Sequence, residues 1–356
     1  MGIKRISIPL ISSIVTLFMT MLKKLSLFVV LASLLAPAMA AEVNVYSARK
    51  EILIKPLLDQ FSEQTGIKVR LLTGKADALL KRLEVEGRKS PADLFITTDA
   101  GRLHRAKTLQ LLQPVSSELL KSTVPEQMRD RDDTWYGLSV RSRPIIYATD
   151  RVKPGELSTY EGLVDAKWKG RVCVRSSSNI YNQSLVASMI EVKGEQATTE
   201  WARGLVANFA RPPAGGDTDQ LMAVAAGLCD VALANTYYLG IMTGGKDQKK
   251  RDAADKLAVF WPNQDDRGAH VNVSGAGVTA HAGNRDAAIK LLEFLVGEEA
   301  QAWYARVNYE YPVDPSVDVS NLLKSWGDFK ADSINLTVLG DNNPRAVKVM
   351  DRAGWR

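Results

Sequence analysis

The chain has 356 residues, with 46 Lys and Arg against 40 Asp and Glu for a formal charge of +6, three histidines and two cysteines. Four of those cations and no acids fall within residues 1–40, so the rest of the chain stands at 42 against 40 and the basic excess almost vanishes. With no run of Lys and Arg interleaved with aromatics, a nucleic-acid or anionic-membrane surface is not indicated as a partner, and at 46% hydrophobic residues the composition is not that of a disordered chain.

In chain order, "MLKKLSLFVVLASLLAPAMA" reads as a complete secretory signal. Lys23 and Lys24 make its charged start, Leu25 to Leu35 its apolar middle, and Ala38-Met39-Ala40 its small-residue cleavage site, which puts the cut near Ala40. The upstream run "ISIPLISSIVTLFMT" is short for a membrane span and contains Pro9, so it is read as sequence ahead of a true start at Met21. The roughly 316 residues that follow suffice for two lobes, each with its own core.

From Val43 the pattern alternates. The strand "VNVYS" precedes a helix with Ile54, Leu57, Leu58 and Phe61 on one face; then come "KVRLLT", the helix "DALLKRLEVEG" and the strand "ADLFITT". Such alternation predicts a mostly parallel sheet covered by helices. Pro144 within "WYGLSVRSRPIIYATD" suits a crossover between lobes better than a central strand. A second α/β run follows: "GRVCVRSS", a helix from near Asn179, the stretches "TTEWARGLVANFA" and "DTDQLMAVAAGL", and the strand "CDVALAN". After "VSGAGVTAHAG" come "RDAAIKLLEFLVG", "EEAQAWYARV" and a helical tail. The expected division is residues 41–142 plus 270–356 as a first lobe that includes the C-terminal helices, and 143–269 as a second, with a ligand cleft between them.

Cys173 and Cys229 lie on apparent neighbouring strands of an exported chain, which favours a disulfide over two buried thiols. Enzyme motifs are scarce: there is no Gly-rich phosphate loop, G-x-S-x-G or His-Glu-x-x-His, and His104, His270 and His281 have no ligand-like spacing.

The pair Tyr237-Tyr238 ends an apolar strand, where successive side chains point to opposite faces. Either one phenol is exposed, or the chain turns there and both serve a site. A third tyrosine, Tyr181, follows the strand-to-helix junction "RSSSN", where Ser178 and Asn179 are ordinary helix caps and also potential anion donors. Phenolates are hard ligands, and at neutral pH tyrosine yields its proton only to a strongly polarising cation, for which Fe(III) is the candidate. Three phenolates would balance its charge and leave room for a small anion, for which Arg49, Arg141 and Arg143 are available guanidiniums.

The segments "VNVYSARK", "SPADLFITTDAGRL", "WYGLSVRSRPIIY", "CVRSSSNIYNQSL", "GLCDVALANTYYLG" and "VSGAGVTAHAG" closely resemble the periplasmic ferric-iron-binding proteins that feed ABC importers. The resemblance spans essentially all of the chain from Val43. It implies a two-lobed type II periplasmic-binding-protein fold, a monomer in the periplasm that closes around one Fe(III) and passes it to an inner-membrane permease and its ATPase. It also implies Tyr181, Tyr237 and Tyr238 as the metal ligands, carbonate as the synergistic anion, and Arg143, with Arg141 second, as the guanidinium at the site.

The first lobe departs from the pattern. Lys50 and Glu51 stand where many relatives carry histidine, or histidine and a ligand tyrosine, and Thr98 followed by Asp99 stands where one branch uses glutamate. That resembles the members that take three tyrosines from the second lobe and complete the shell with carbonate. Arg49 and Glu51 are the possible first-lobe contributors, with Lys50 a potential anion contact. Two other readings are weighed against this: a binding protein in which the Ser177-Ser178-Asn179 turn and the arginines take an anion directly, and an enzyme using Asp99 or Glu51. An anion site gains nothing from three weakly acidic phenols, and nothing beyond the presence of a cleft supports an enzyme, so a non-enzymatic carrier is expected.

Overall fold

A computed structural model describes residues 41–356. The signal segment, its cleavage point and the Met21 start lie outside the described residues.

Among the described residues, ten strands form two sheets. In the first, of order β10-β4-β9-β3-β1-β2, β1 (Glu42–Ser47) pairs in parallel with β2 (Lys68–Thr73) and β3 (Leu94–Thr98). The strands β9 (Val271–Val278), β4 (Tyr136–Ser142) and β10 (Tyr311–Pro312) complete it antiparallel. The second sheet, of order β6-β7-β5-β8, contains β6 (Val172–Cys173), β7 (Val231–Leu233), β5 (Ile145–Ala148) and β8 (Leu257–Phe260). Only its β6–β7 pair is parallel.

The sheets are therefore mixed rather than mostly parallel. The chain leaves the first sheet at Ser142, enters the second at Ile145, and returns from β8 to β9, so the returning strand runs against β3 and β4. Arg143-Pro144 is one crossing; proline has no N–H to give a ladder, so pairing breaks there and the chain can change sheets.

The helix Glu51–Thr65 buries Ile54, Leu57, Leu58 and Phe61, as the period predicts, and the left-handed Gly66 ends it. β3 is central in its sheet, with Leu94, Phe95 and Ile96 fully buried, which explains its unbroken apolar reading. Cys173 of β6 and Cys229, just before β7, form the expected disulfide across the parallel pair, with Cα atoms 5.9 Å apart. The C-terminal helix Asn343–Arg352 packs on the helices Ile180–Lys193 and Glu195–Ala207, and so belongs spatially beside the second sheet. Among the described residues no helix is long and apolar enough to cross a membrane.

Candidate metal centre

Because β6 and β7 are parallel neighbours, their carboxyl ends share one edge of the second sheet, and the helices that follow them start side by side. The strand does not continue through the tyrosine pair: β7 stops at Leu233 and the helix Thr236–Gly244 begins, putting Tyr237 and Tyr238 in its first turn. Tyr181 occupies the same place in the helix Ile180–Lys193, whose cap Asn179 accepts the Tyr181 N–H through Oδ1 at 3.2 Å.

These two helix starts bring the phenols together. The hydroxyls of Tyr237 and Tyr181 are 3.3 Å apart, and the rings of Tyr237 and Tyr238 lie 4.3 Å apart between centroids at 32°. Burial, and then the neighbouring phenols of Tyr181 and Tyr238, push Tyr237 well above the ordinary tyrosine range. Tyr238 is raised in the same way, by burial and then by Tyr181 and Asp217. Phenols raised in this way, as Tyr237 and Tyr238 are, give up their protons at neutral pH only to a cation of high charge. Among the described residues, no group of three or more His, Cys, Asp or Glu is placed to hold a metal, and the cleft is lined by three phenols and a single carboxylate, that of Glu310.

The facing wall belongs to the first sheet and is ionic. Glu310, beside β10, accepts from both terminal nitrogens of Arg49 at 3.0 and 3.2 Å, and Arg141 Nη2 stands 3.8 Å away. Ser139 donates to Glu310, and both guanidiniums reach the Ser274 hydroxyl. Burial pushes Glu310 upward, but Arg49 and Arg141 outweigh it and hold the carboxyl below its usual range. Two guanidiniums on one carboxylate leave an excess positive charge, and Arg141 aims it at the phenols: its guanidinium carbon lies 5.4 Å from the Tyr237 ring centroid and 5.9 Å from that of Tyr181. A cavity of about 190 Å³ separates the walls, with Lys50, Thr98 and Ile241 also on its lining.

The residues singled out in the sequence divide into two groups. Tyr181, Tyr237, Tyr238, Arg141 and Arg49 meet at this cavity, and Lys50 joins them. Arg143 does not line it. Its guanidinium is spent behind the helix starts on Asp217 at 3.0 and 3.3 Å, Asn235 Oδ1 at 3.0 Å and Asn182 Oδ1 at 2.8 Å. Asn235 N–H also donates to Asp217 at 3.1 Å, so this buried pair pins the junction ahead of Tyr237.

Ser178 is exposed and borders a neighbouring groove with Arg102 and His104, while Asn179 is a cap and Glu51 an exposed helix-start acid off the cavity lining. Asp99 is fully buried, accepting from Ser184, Asn272 and the Gly101 N–H, and thereby ties the helix Ile180–Lys193 to β9. Glu310 escaped sequence reasoning. Its one visible signal is an acid between two tyrosines in "NYEYP", where a short strand follows an apolar helix.

Residues 89–331 match the family described as bacterial extracellular solute-binding protein. The chain is 50% identical over 320 residues to Iron uptake protein A1 of Synechocystis sp., covering 90% of this chain and 89% of that one. A Trichodesmium structure, described as in complex with iron and citrate ligands, superposes with a TM-score of 0.87 at 49% identity, covering 89% of this chain and 100% of its own. The ferric binding protein from Campylobacter jejuni gives 0.84 at 39% identity, covering 88% and 100%.

Proposed function

Because this chain belongs to the bacterial extracellular solute-binding protein family and has the two-lobed type II fold, we propose that it captures Fe(III) in the periplasm through Tyr181, Tyr237 and Tyr238. The observation that carries this reading is the pair of phenol oxygens 3.3 Å apart, beside a third tyrosine and opposite a wall with surplus positive charge. Protonated, the three phenols are neutral; deprotonated and unshielded, they would repel one another strongly at that spacing. A trivalent cation removes the conflict by taking the place of the protons.

Iron supplies charge and open coordination positions when bound, and the chain's residues do the rest. The tyrosines give up protons and bind, while Arg141, anchored by Glu310 and Ser274, together with the exposed Lys50, offers donors to an accompanying anion. Carbonate is the proposed anion, with citrate, named for the Trichodesmium complex, as the comparator. The lobes are residues 41–142 plus 270–356 and residues 143–269, hinged at the crossings, except that the C-terminal helix Asn343–Arg352 leaves the first lobe's segment to pack on the helices of the second; the monomer hands its cargo to an ABC permease with its ATPase. No turnover is part of this reading: the wall opposite the phenols is locked in ion pairs.

A titration of the mature chain with chelated ferric iron, with bicarbonate, citrate or neither, tests this. A visible phenolate-to-iron band should saturate at one equivalent, and Tyr181→Phe or Tyr237→Phe should cost roughly 100-fold or more in affinity, beyond the 10–100-fold typical of outer-shell changes. The absence of a band in the unmodified chain under all three conditions would refute iron capture.

A further inference from the structure

Tyr309 stands between two residues of the cavity lining, Asn308 and Glu310, yet does not line it itself. Its φ of 54° lies in the left-handed region, which a bulky non-glycine residue rarely adopts. Both neighbours are anchored: the N–H groups of Asn308 and Glu310 converge on the Tyr304 carbonyl at 3.2 and 3.1 Å, and the Glu310 carboxylate is gripped by Arg49. The side chain of Tyr309 rests on the helix Thr236–Gly244, which carries Tyr237 and Tyr238.

That helix is built to receive it. Gly240 and Gly244 are four residues apart, hence on one face. A methyl group on Gly240 would fall 2.5 Å from Tyr309 Cβ and 2.6 Å from Cγ, and one on Gly244 would overlap the Tyr309 hydroxyl. Neither glycine has a positive φ, so the backbone conformation does not call for glycine at either place; the tyrosine does. Glycine is among the weakest helix formers, so two within nine helical residues oppose local propensity in favour of this contact.

We propose that Tyr309 is a positioning residue of the iron site: seated on Gly240 and Gly244, it holds the phenol-bearing helix at a fixed distance from the Arg141–Glu310 wall and thereby slows iron loss. The inference rests on the iron-capture reading for its cargo, whereas the seat itself is a contact between the two sheet systems that exists without reference to any ligand.

The test uses the full mature chain. Iron transfer to excess EDTA is followed at the visible band, and the radius of gyration of the unloaded chain is measured by small-angle scattering. Tyr309→Ala keeps all three phenols and so should keep the band, but should release iron about tenfold faster, since such changes act mainly on dissociation, and show a larger radius of gyration. Tyr309→Phe, which keeps the ring, should behave as the unmodified chain. Gly244→Ala should reproduce the Tyr309→Ala result, and the double variant should be no worse than either alone.

If Tyr309→Ala fails to fold, Gly244→Ala gives the same readouts with the tyrosine in place. Unchanged release and scattering in the folded variants, or additive effects in the double variant, would overturn the proposal. Absence of a ferric band in the unmodified chain would overturn iron capture instead, leaving scattering to decide the seat: expansion in Tyr309→Ala supports it and an unchanged radius refutes it.

Discussion

Tyr181, Tyr237 and Tyr238 enter the cleft from helix starts of the second sheet, whereas Arg49, Arg141 and Glu310 face them from the first sheet as charges fixed to one another. On the proposed reading, the phenol wall is stable when empty because Tyr237 and Tyr238 hold their protons, and it would become charged only when a cation arrives. The ionic wall carries its charge permanently and needs an internal counter-ion: Arg49, Arg141 and Glu310 are 5%, 2% and 4% exposed. One wall is thus made for exchange and the other for permanence, with Arg141 between them aiming surplus charge across the cavity.

The strongest way to break this contrast is to neutralise the counter-ion. Glu310→Gln keeps the shape but leaves two buried guanidiniums unpaired, and should lower the unfolding free energy by about 3–5 kcal/mol, the usual cost of removing one partner from a buried ion pair. Tyr238→Phe on the opposite wall removes only a neutral hydroxyl and should stay within about 1 kcal/mol. Urea unfolding of both variants without iron measures the difference. Equal losses would mean that the walls do not differ as described.

The walls should also answer pH in opposite directions. Glu310 has a folded pKa held below its ordinary 4.5, so its contribution is present above that value and lost as pH falls through the folded one. His270, in the crossing segment ahead of β9, adds to the same acid limb. Burial, then Arg267 and Arg143, lower it from 6.5 to about 3, so stability is lost as pH falls from 6.5 towards that value.

Tyr237 and Tyr238 act at the other end. Their folded pKa values are raised, so above about pH 10 the unfolded chain releases phenolic protons that the folded chain keeps, and stability falls with rising pH. A series of urea midpoints from about pH 3 to 11 should show both limbs. Other buried tyrosines, Tyr160 and Tyr304 among them, feed the alkaline limb too, so Tyr237→Phe should reduce it without abolishing it and leave the acid limb as it was; an unchanged alkaline limb in that variant would disconnect Tyr237 from it.

What the sequence made legible follows the same division. The phenol wall is local: a strand, a cap and a helix start can each be read from a few consecutive residues, so Tyr181, Tyr237 and Tyr238 could be nominated together. The ionic wall is assembled from residues up to 261 positions apart, as in the Arg49–Glu310 pair, and no window of sequence contains it.

Arg141 and Arg143 show the limit most clearly. Two apart, they would share a face on a continuous strand. β4 ends at Ser142, however, so Arg141 stays on the cleft wall while Arg143 turns in beneath the helix starts to Asp217. The expectation of mostly parallel sheets failed for a related reason: alternation shows that strands and helices follow one another, but not that β9 returns from the other sheet.

Lys50 gives the smallest and most discriminating test. It is exposed at the cavity, precedes the helix Glu51–Thr65 without capping it through its side chain, and so is free to act through its charge alone. A cation there slows Fe(III) and attracts the anion, and the two effects oppose. If the ionic wall serves the anion, Lys50→Ala should weaken the dependence of iron uptake on bicarbonate by about two- to fivefold and reduce its sensitivity to salt, as expected for a rim charge. The band itself should remain, because the phenols are untouched. Iron uptake that becomes faster in Lys50→Ala, with unchanged bicarbonate dependence, would instead place the lysine's charge against the metal and leave Arg141 as the anion's contact on that wall.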